Sequence, residues 1–254
     1  MRWTKSSFMN DAYKGKLDDP RGRVELRRSN QVIIIVISAA LAVWFLGPRL
    51  LGFRSWEWHQ RLVLEVNTPT GLVSGGSTIS EAISIAPKWV PITAGNLHST
   101  IRGESSFVEV SPGRYLFAVL NDRETERAMV SFHFKASETS SQIFGALSTE
   151  HGTGFVPYSL YPELVTFDDL SDPKSVREVD PHNLEATFGP GVSLKRIALE
   201  VTRERVTAGP IEKILKWLPD YCGIRFDRAQ FETLSASNRL ANSLSSGAFK
   251  IPCR

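Results

Sequence analysis

The sequence predicts a single-pass membrane protein: one N-terminal transmembrane helix, then a β-rich outer region made of a small β-sandwich followed by an α+β region. Three observations carry this prediction. Val32 to Leu46 reads VIIIVISAALAVWFL, fifteen apolar or small residues without a charge. Beyond it, short runs alternate apolar and polar residues between turn signals, the period of half-buried strands. After Lys135 the pattern changes and mixes helical spacing with further strands.

The anchor comes first in the chain. The uncharged stretch from Val32 to Pro48 gives about 25 Å of helix at about 1.5 Å per residue. A bilayer core of about 30 Å needs slightly more, which Arg49 supplies by snorkelling while Leu50, Leu51 and Phe53 stay in the interface. Trp44, Trp56 and Trp58 suit an aromatic belt at that end. Orientation follows from the flanking cations. Lys14, Lys16, Arg21, Arg23, Arg27 and Arg28 precede the span, against Arg49, Arg54 and Arg61 after it, so the N-terminus is expected inside. The rival reading is a cleaved signal peptide. Against it, Gly-Pro-Arg-Leu-Leu follows the apolar run where a small-x-small cleavage site belongs. Apolar residues all round the helix also exclude a surface helix of a soluble domain.

Residues 1–30 form a polar tail expected to be disordered in the cytoplasm, and residues 31–53 are the span and its connector. The tail holds eight basic and four acidic residues, a balance of +4, whereas residues 54–254 hold 21 basic and 23 acidic, a balance of −2. The basic character therefore belongs to the tail. Without a basic patch on the folded part, nucleic-acid binding is excluded as an expectation.

Residues 54–136 are read as the sandwich. Leu62, Leu64 and Val66 alternate with Arg61, Val63 and Glu65 before the Thr68-Pro69-Thr70-Gly71 turn. Ile79, Ile83 and Ile85 share a face of the next run. Val108 and Val110 precede the Pro112-Gly113 turn, and Tyr115 to Leu120 is apolar on both faces, as in a central strand. Val130, Phe132 and Phe134 alternate with Ser131, His133 and Lys135 and predict a further strand. Gly113-x-Tyr115-x-Phe117 resembles the strand of immunoglobulin-like and carboxypeptidase-regulatory-like sandwiches in which a tyrosine hydroxyl fixes a corner. Tyr115 is thus expected to be buried, its hydroxyl bonded to nearby backbone.

Lys135 to Gln142 reads as a linker, and residues 143–254 as the α+β region. Ile143 to Pro162 is expected to be irregular, and Leu164 to Phe167 a strand. Asp172 and Asp180 cap turns begun by Pro173 and Pro181, the latter ending at Gly189. Ile197, Leu199 and Val201 define another strand. Pro210 opens a helix in which Ile211, Ile214, Leu215 and Leu218 share a face and which Pro219 stops. Ser235 or Ser237 starts a last helix that Gly247 ends.

The sequence marks no catalytic, cofactor-binding or metal-binding residue. His151-Gly152-Thr153-Gly154 is similar to the histidine box of subtilisin-like proteases, but the matching serine segment is missing; the string reads as a mobile loop. Ser171-Asp172-Pro173-Lys174 fits S-x-x-K without the KTG strand that must accompany it, so a helix cap explains it. Asp168, Asp169, Asp172 and Asp180 lack the spacing of a calcium loop. His59, His98, His133, His151 and His182 share no metal-ligand spacing. Gly75-Gly76 lies between two strands, which is not the context of a phosphate loop. Phe144, Phe155, Tyr158 and Tyr161 cluster around an irregular stretch and are read as a plug between two regions before contact anchors. Cys222 and Cys253 leave two readings open: a pair in an oxidising compartment, or two separate thiols.

Trp58 to Leu62 (WHQRL), Glu65 to Gly75 (EVNTPTGLVSG), Tyr161 to Phe167, Ser175 to Pro181 and Phe188 to Arg196 together resemble an uncharacterised group of membrane-anchored proteobacterial proteins. The resemblance spans Trp58 to about Phe249. It implies a bacterial inner membrane location with the C-terminal domain periplasmic, and brings no activity with it. The function expected is a membrane-tethered periplasmic binding or structural module. An envelope hydrolase with scattered site residues is the alternative, and an accessory subunit of a membrane assembly the third reading. The expected partners are the lipid bilayer, through Val32–Leu46, and another envelope protein.

Overall fold

The computed structural model describes residues 33–41, 43, 44, 46, 47, 50–87, 89, 90, 97–135 and 137–253. The predicted cytoplasmic tail, 1–30, lies outside them, as does part of the predicted span. Ile33 to Leu41 is helical, and among the described residues no helix is long and apolar enough to cross a membrane. The chain divides into two compact units. The first comprises the described residues up to Arg54 with those between Ala86 and Val90; there the Trp89 indole donates to the Leu51 carbonyl at 3.1 Å, and Phe53 meets its ring edge-on. The second, Ser55–Ile85 with Ile92–Arg254, carries the sheets.

That second unit is β-rich, with two antiparallel sheets and few helices. β1 (Arg54–Thr68) and β2 (Gly71–Ile85) are long neighbours. With β3 (Leu97–Glu104), β6 (Gly152–Phe155), β9 (Ser193–Thr202) and β10 (Lys250–Ile251) they form a six-stranded sheet ordered β10-β3-β2-β1-β9-β6. β4 (Ser106–Ser111), β5 (Arg114–Ala118), β7 (Leu164–Phe167) and β8 (Val176–Glu178) make the second sheet in chain order. The expected division between 54–136 and 143–254 is therefore no division of the sheets. β9 pairs with β1, Leu62 opposite Leu199 and Leu64 opposite Ile197, and β7 pairs with β5. Each stretch supplies strands the other needs to cover its apolar face.

Period-2 alternation places the cores. Trp58, Leu62, Leu64 and Val66 of β1 and Ile197, Leu199 and Val201 of β9 enter one apolar cluster with Leu116 and Ala118 of β5. Phe117 and Val119 point the other way, into a second cluster with Val165, Phe167, Phe226 and Phe249. Leu116 to Val119, at the end of β5, are thus buried on both faces, as the apolar composition predicts. Where the sheets approach, β2 has Gly75 and Gly76: a Cβ at Gly75 would collide with the Phe107 carbonyl, and at Gly76 with that of Leu62. The glycine pair is a close-packing device, and hydroxyls complete the seam. Ser106 Oγ donates to the Leu62 carbonyl at 2.7 Å and accepts from Ser77 N at 2.9 Å.

Several local expectations are corrected. The predicted strand at 130–135 is instead the end of α1 (Glu124–Ser131), whose inward face carries Glu124, Arg127, Ala128 and Ser131 at helical spacing; the alternation of Val130, Phe132 and Phe134 falls across its C-terminus. The linker-like and irregular stretches hold α2 (Ser140–Thr149), because Thr139 and Gln142 form a reciprocal capping box. The helix expected over 210–218 is split: α4 (Pro210–Ile214) stops before Leu215, and a 3-10 turn, Leu218–Tyr221, follows. Pro219 sits in the first turn of that 3-10 segment, where its missing N–H leaves no bond unmade, and Ile211, Leu215 and Leu218 still reach the core. The last helix, α5 (Arg239–Ser243), begins at Asn238, whose side chain accepts from Ala241 N, and not at Ser235 or Ser237. The helical turn expected from Pro181 starts only at Glu185, Asp180 accepting from His182 N in a separate turn before it; this short α3 (Glu185–Phe188) ends at Gly189 as expected, and Asp172 caps the turn at Pro173.

Tyr115 is partly buried. Its phenol lies beside the Glu109 carboxylate, and burial followed by that negative charge raises its pKa. The expected hydroxyl-to-backbone corner is replaced by a contact across the β4–β5 hairpin.

Candidate functional site

The ends of β1, β9 and β6 lie side by side, with His59 opposite Thr202 and Gly152 opposite Val201. Alternation and this register bring Glu57, His59, His151 and Arg203 to one edge of the sheet. There, with the C-terminal turn of α2, they line an open groove of about 640 Å³ floored by Leu147 and Val201. A smaller apolar recess of about 110 Å³, bounded by Phe132, Phe134 and Glu150, shares Leu147, His151 and Val201 with it.

Hydrogen bonds fix the state of each imidazole. His59 Nδ1 lies 2.6 Å from the Glu204 carbonyl; a carbonyl only accepts, so Nδ1 carries a proton. Arg203 Nε lies 2.6 Å from His151 Nε2. A guanidinium only donates, so Nε2 supplies its lone pair and the ring proton sits on Nδ1. The Ser148 and Thr149 hydroxyls both donate to the Gly145 carbonyl at 2.8 Å. The Glu57 carboxylate accepts from Ser80 at 2.6 Å.

This arrangement decides the reading of His151. A general base needs a free imidazole lone pair facing a nucleophile's proton, and His151 spends its lone pair on Arg203. Its neighbouring glycines belong to an edge strand and not to a mobile loop. Gly154 is required there because a Cβ would strike the Ser131 carbonyl.

The other residues singled out from sequence have structural roles. Ser171 donates its backbone N–H to Asp169 at 2.8 Å and its hydroxyl at 2.7 Å, and these two bonds, the backbone one foremost, lower the pKa of Asp169. Asp168 pairs with Arg177 at 3.0 Å, and Asp180 accepts from His182 N. Among the described residues no group of three or more His, Cys, Asp or Glu is placed to hold a metal. Phe144 is a buried plug stacked on Trp58, whereas Phe155 and Tyr158 are exposed, Phe155 beneath Arg196 and Tyr158 against His182. Cys222 and Cys253 are joined as a disulfide, Cα atoms 5.6 Å apart.

A second polar cluster, which sequence reading passed over, is closed. Glu81, Glu104, Glu124, Arg127 and Gln60 are essentially without solvent exposure. Glu104 accepts from the backbone N–H groups of Gly209 and Ile211. Glu124 pairs with Arg127 at 2.5 Å, and Arg127 also donates to the Leu160 carbonyl and to Asn121. Glu81 accepts from Thr125 and Ser99 through one oxygen; its other oxygen has no partner among the described residues. Burial foremost, with the nearby Glu124 charge, raises the Glu81 pKa from 4.5 to about 7 against the opposing effects of Thr125, Ser99 and Arg127. Gln60, Glu104, Ser106 and Glu124 line a cavity of about 10 Å³, the size of one water. One signal for this cluster was legible: Glu81 stands between Ile79 and Ile83 on an inward face.

No family model, curated protein or solved structure matches the chain.

Proposed function

We propose that the chain is a membrane-tethered, periplasm-facing binding module whose contact surface is the groove between β1, β9, β6 and α2. The observation that carries this reading is the His151–Arg203 bond, which spends the His151 lone pair within a polar, open groove that His59 also lines. The Cys222–Cys253 disulfide supports a location outside the reducing cytoplasm. The uncharged Val32–Leu46 run, with six cations before it and three after, supports the tether and its direction. This placement agrees with the resemblance to membrane-anchored proteobacterial proteins.

The test is thermal unfolding of the full chain in lipid nanodiscs against sets of carboxylates, phosphates, sugars and short peptides. At least one compound should raise Tm saturably, as ligands that bind only the folded state do. The rise should vanish in Thr149→Trp, which fills the groove from an exposed position. No saturable rise for any class overturns the binding reading. Conversion of a compound to product, at a rate lost in His151→Ala, replaces it with the hydrolase. Topology is read separately: a periplasmic reporter fused after Arg254 should be active, and activity of a cytoplasm-only reporter there would reverse the placement.

A further inference from the structure

Resting on that reading of the groove, we propose that its ligand carries an anionic group, a carboxylate or a phosphate, held by the outer edge of the Arg203 guanidinium with the His151 Nδ1–H beside it. Several cations of this unit are taken up by carboxylates. Arg61 meets Glu204 at 3.3 Å, Arg196 and Lys195 meet Glu65, and Arg123 meets Glu126. Among the described residues no carboxylate lies within ion-pair range of Arg203; its recorded partner is a neutral imidazole. The bond to His151 uses Nε alone. Both terminal amino groups stay available as a planar fork, the geometry that matches the two oxygens of a carboxylate or phosphate.

The rest of the lining sets where the anion sits. The bond from Arg203 holds His151 in the tautomer whose remaining ring nitrogen is a donor, and no protein acceptor for that N–H is found among the described residues. Ser148 and Thr149 have committed their hydroxyl protons to Gly145, and with the end carbonyls of α2 they present lone pairs, which repel an anion. The Glu57 carboxylate does the same from β1. Of these groups only Arg203 and His151 offer donors, so a ligand with one anionic end is oriented toward them. A charged, fixed donor pair in an open groove suits recognition more than affinity, because water screens the charge.

The experiment is a titration of the full chain in zwitterionic nanodiscs, labelled in its histidine rings and followed by NMR. The probes are inorganic phosphate and acetate, at an ionic strength held constant with chloride. The His151 ring signals should move saturably over the millimolar range with phosphate, acetate or both, while those of His98 and His133 stay still. Saturation by phosphate alone, or by acetate alone, names the group. Arg203→Gln should weaken that binding by about tenfold or more, and Arg203→Lys should retain part of it through charge without the fork. The proposal is overturned by an unsaturating drift of His151 shared with His98 and His133, or by saturation unchanged in Arg203→Gln. If a neutral compound stabilises the chain and Thr149→Trp abolishes that effect while both anions fail, the anion assignment falls and the groove stands.

Discussion

The groove rim and the closed carboxylate cluster draw on the same kinds of side chain and use them oppositely. At the rim, Arg203 and His151 satisfy each other through one nitrogen apiece and keep further donors facing outward. In the closed cluster, Arg127 faces inward: its Nε donates to the Leu160 carbonyl and its Nη2 to Asn121, its Nη1 lies within ion-pair range of Glu124 without a hydrogen bond among the described residues, and Glu104 is spent on the two backbone N–H groups that open α4. Burial forces polar groups to pair within the scaffold, so a group with spare hydrogen-bonding capacity at an opening is better placed to meet a ligand than one that is more charged but enclosed.

The comparison breaks first if Arg127 proves dispensable. Arg127→Met leaves the Glu124 carboxylate buried without its cation, which should destabilise by about 3–5 kcal/mol, read from denaturant midpoints of the full chain. The double variant Arg127→Met with Glu124→Leu should recover most of that loss, since replacing both members of a buried pair is nearly neutral. A single variant within about 1 kcal/mol of wild type would mean that water reaches the pair and that the cluster is no scaffold.

Glu81 sharpens the same contrast through pH. Its folded-state pKa is raised from 4.5 to about 7, so between those values the native state holds a proton that the unfolded chain has released. Stability from the neutral form is intact below 4.5 and is lost as pH rises through about 7. The slope should approach about 1.4 kcal/mol per pH unit, and the total should stay below about 3 kcal/mol. Besides burial, its charge is opposed by Glu124 and favoured by Thr125 and Arg127, all on α1, and by Ser99 on β3. Unfolding free energies at pH 5 and pH 8 should therefore differ in wild type, with the lower pH more stable. Glu81→Gln should remove most of the difference. Equal pH dependence in the variant would place the titrating group elsewhere.

How much of this was legible follows from the range of the forces involved. Strands set by period-2 burial could be read locally: β1, β5, β7 and β9 stand where alternation or a continuous apolar run places them. What failed was set at a distance. Val130, Phe132 and Phe134 alternate as a strand does, but Arg127 and Glu124 bury the opposite choice by pairing one helical turn apart. The Thr139–Gln142 box was present in the letters and hidden by a linker-like composition. For the site, His151 was noticed for the wrong partner. Arg203, 52 residues further along the chain, reaches it only because β6 and β9 are neighbours, a pairing that neither segment announces alone.

The smallest effect is the one that most directly separates the two regions. Arg203 and His151 are both exposed, and a charge-to-neutral hydrogen bond in solvent contributes little to folding because water replaces either partner. Arg203→Gln and His151→Asn should each shift unfolding free energy by less than about 0.5 kcal/mol, well under the change at Arg127. The conserved-shape replacements keep a polar side chain at each position, so neither leaves a buried group unsatisfied. The same denaturant midpoints measure both regions on one scale. A loss at Arg203 comparable to that at Arg127 would show that the rim is part of the scaffold, bracing β6 against β9. Its nitrogen fork would then be a by-product of that brace, with no claim to be a recognition device.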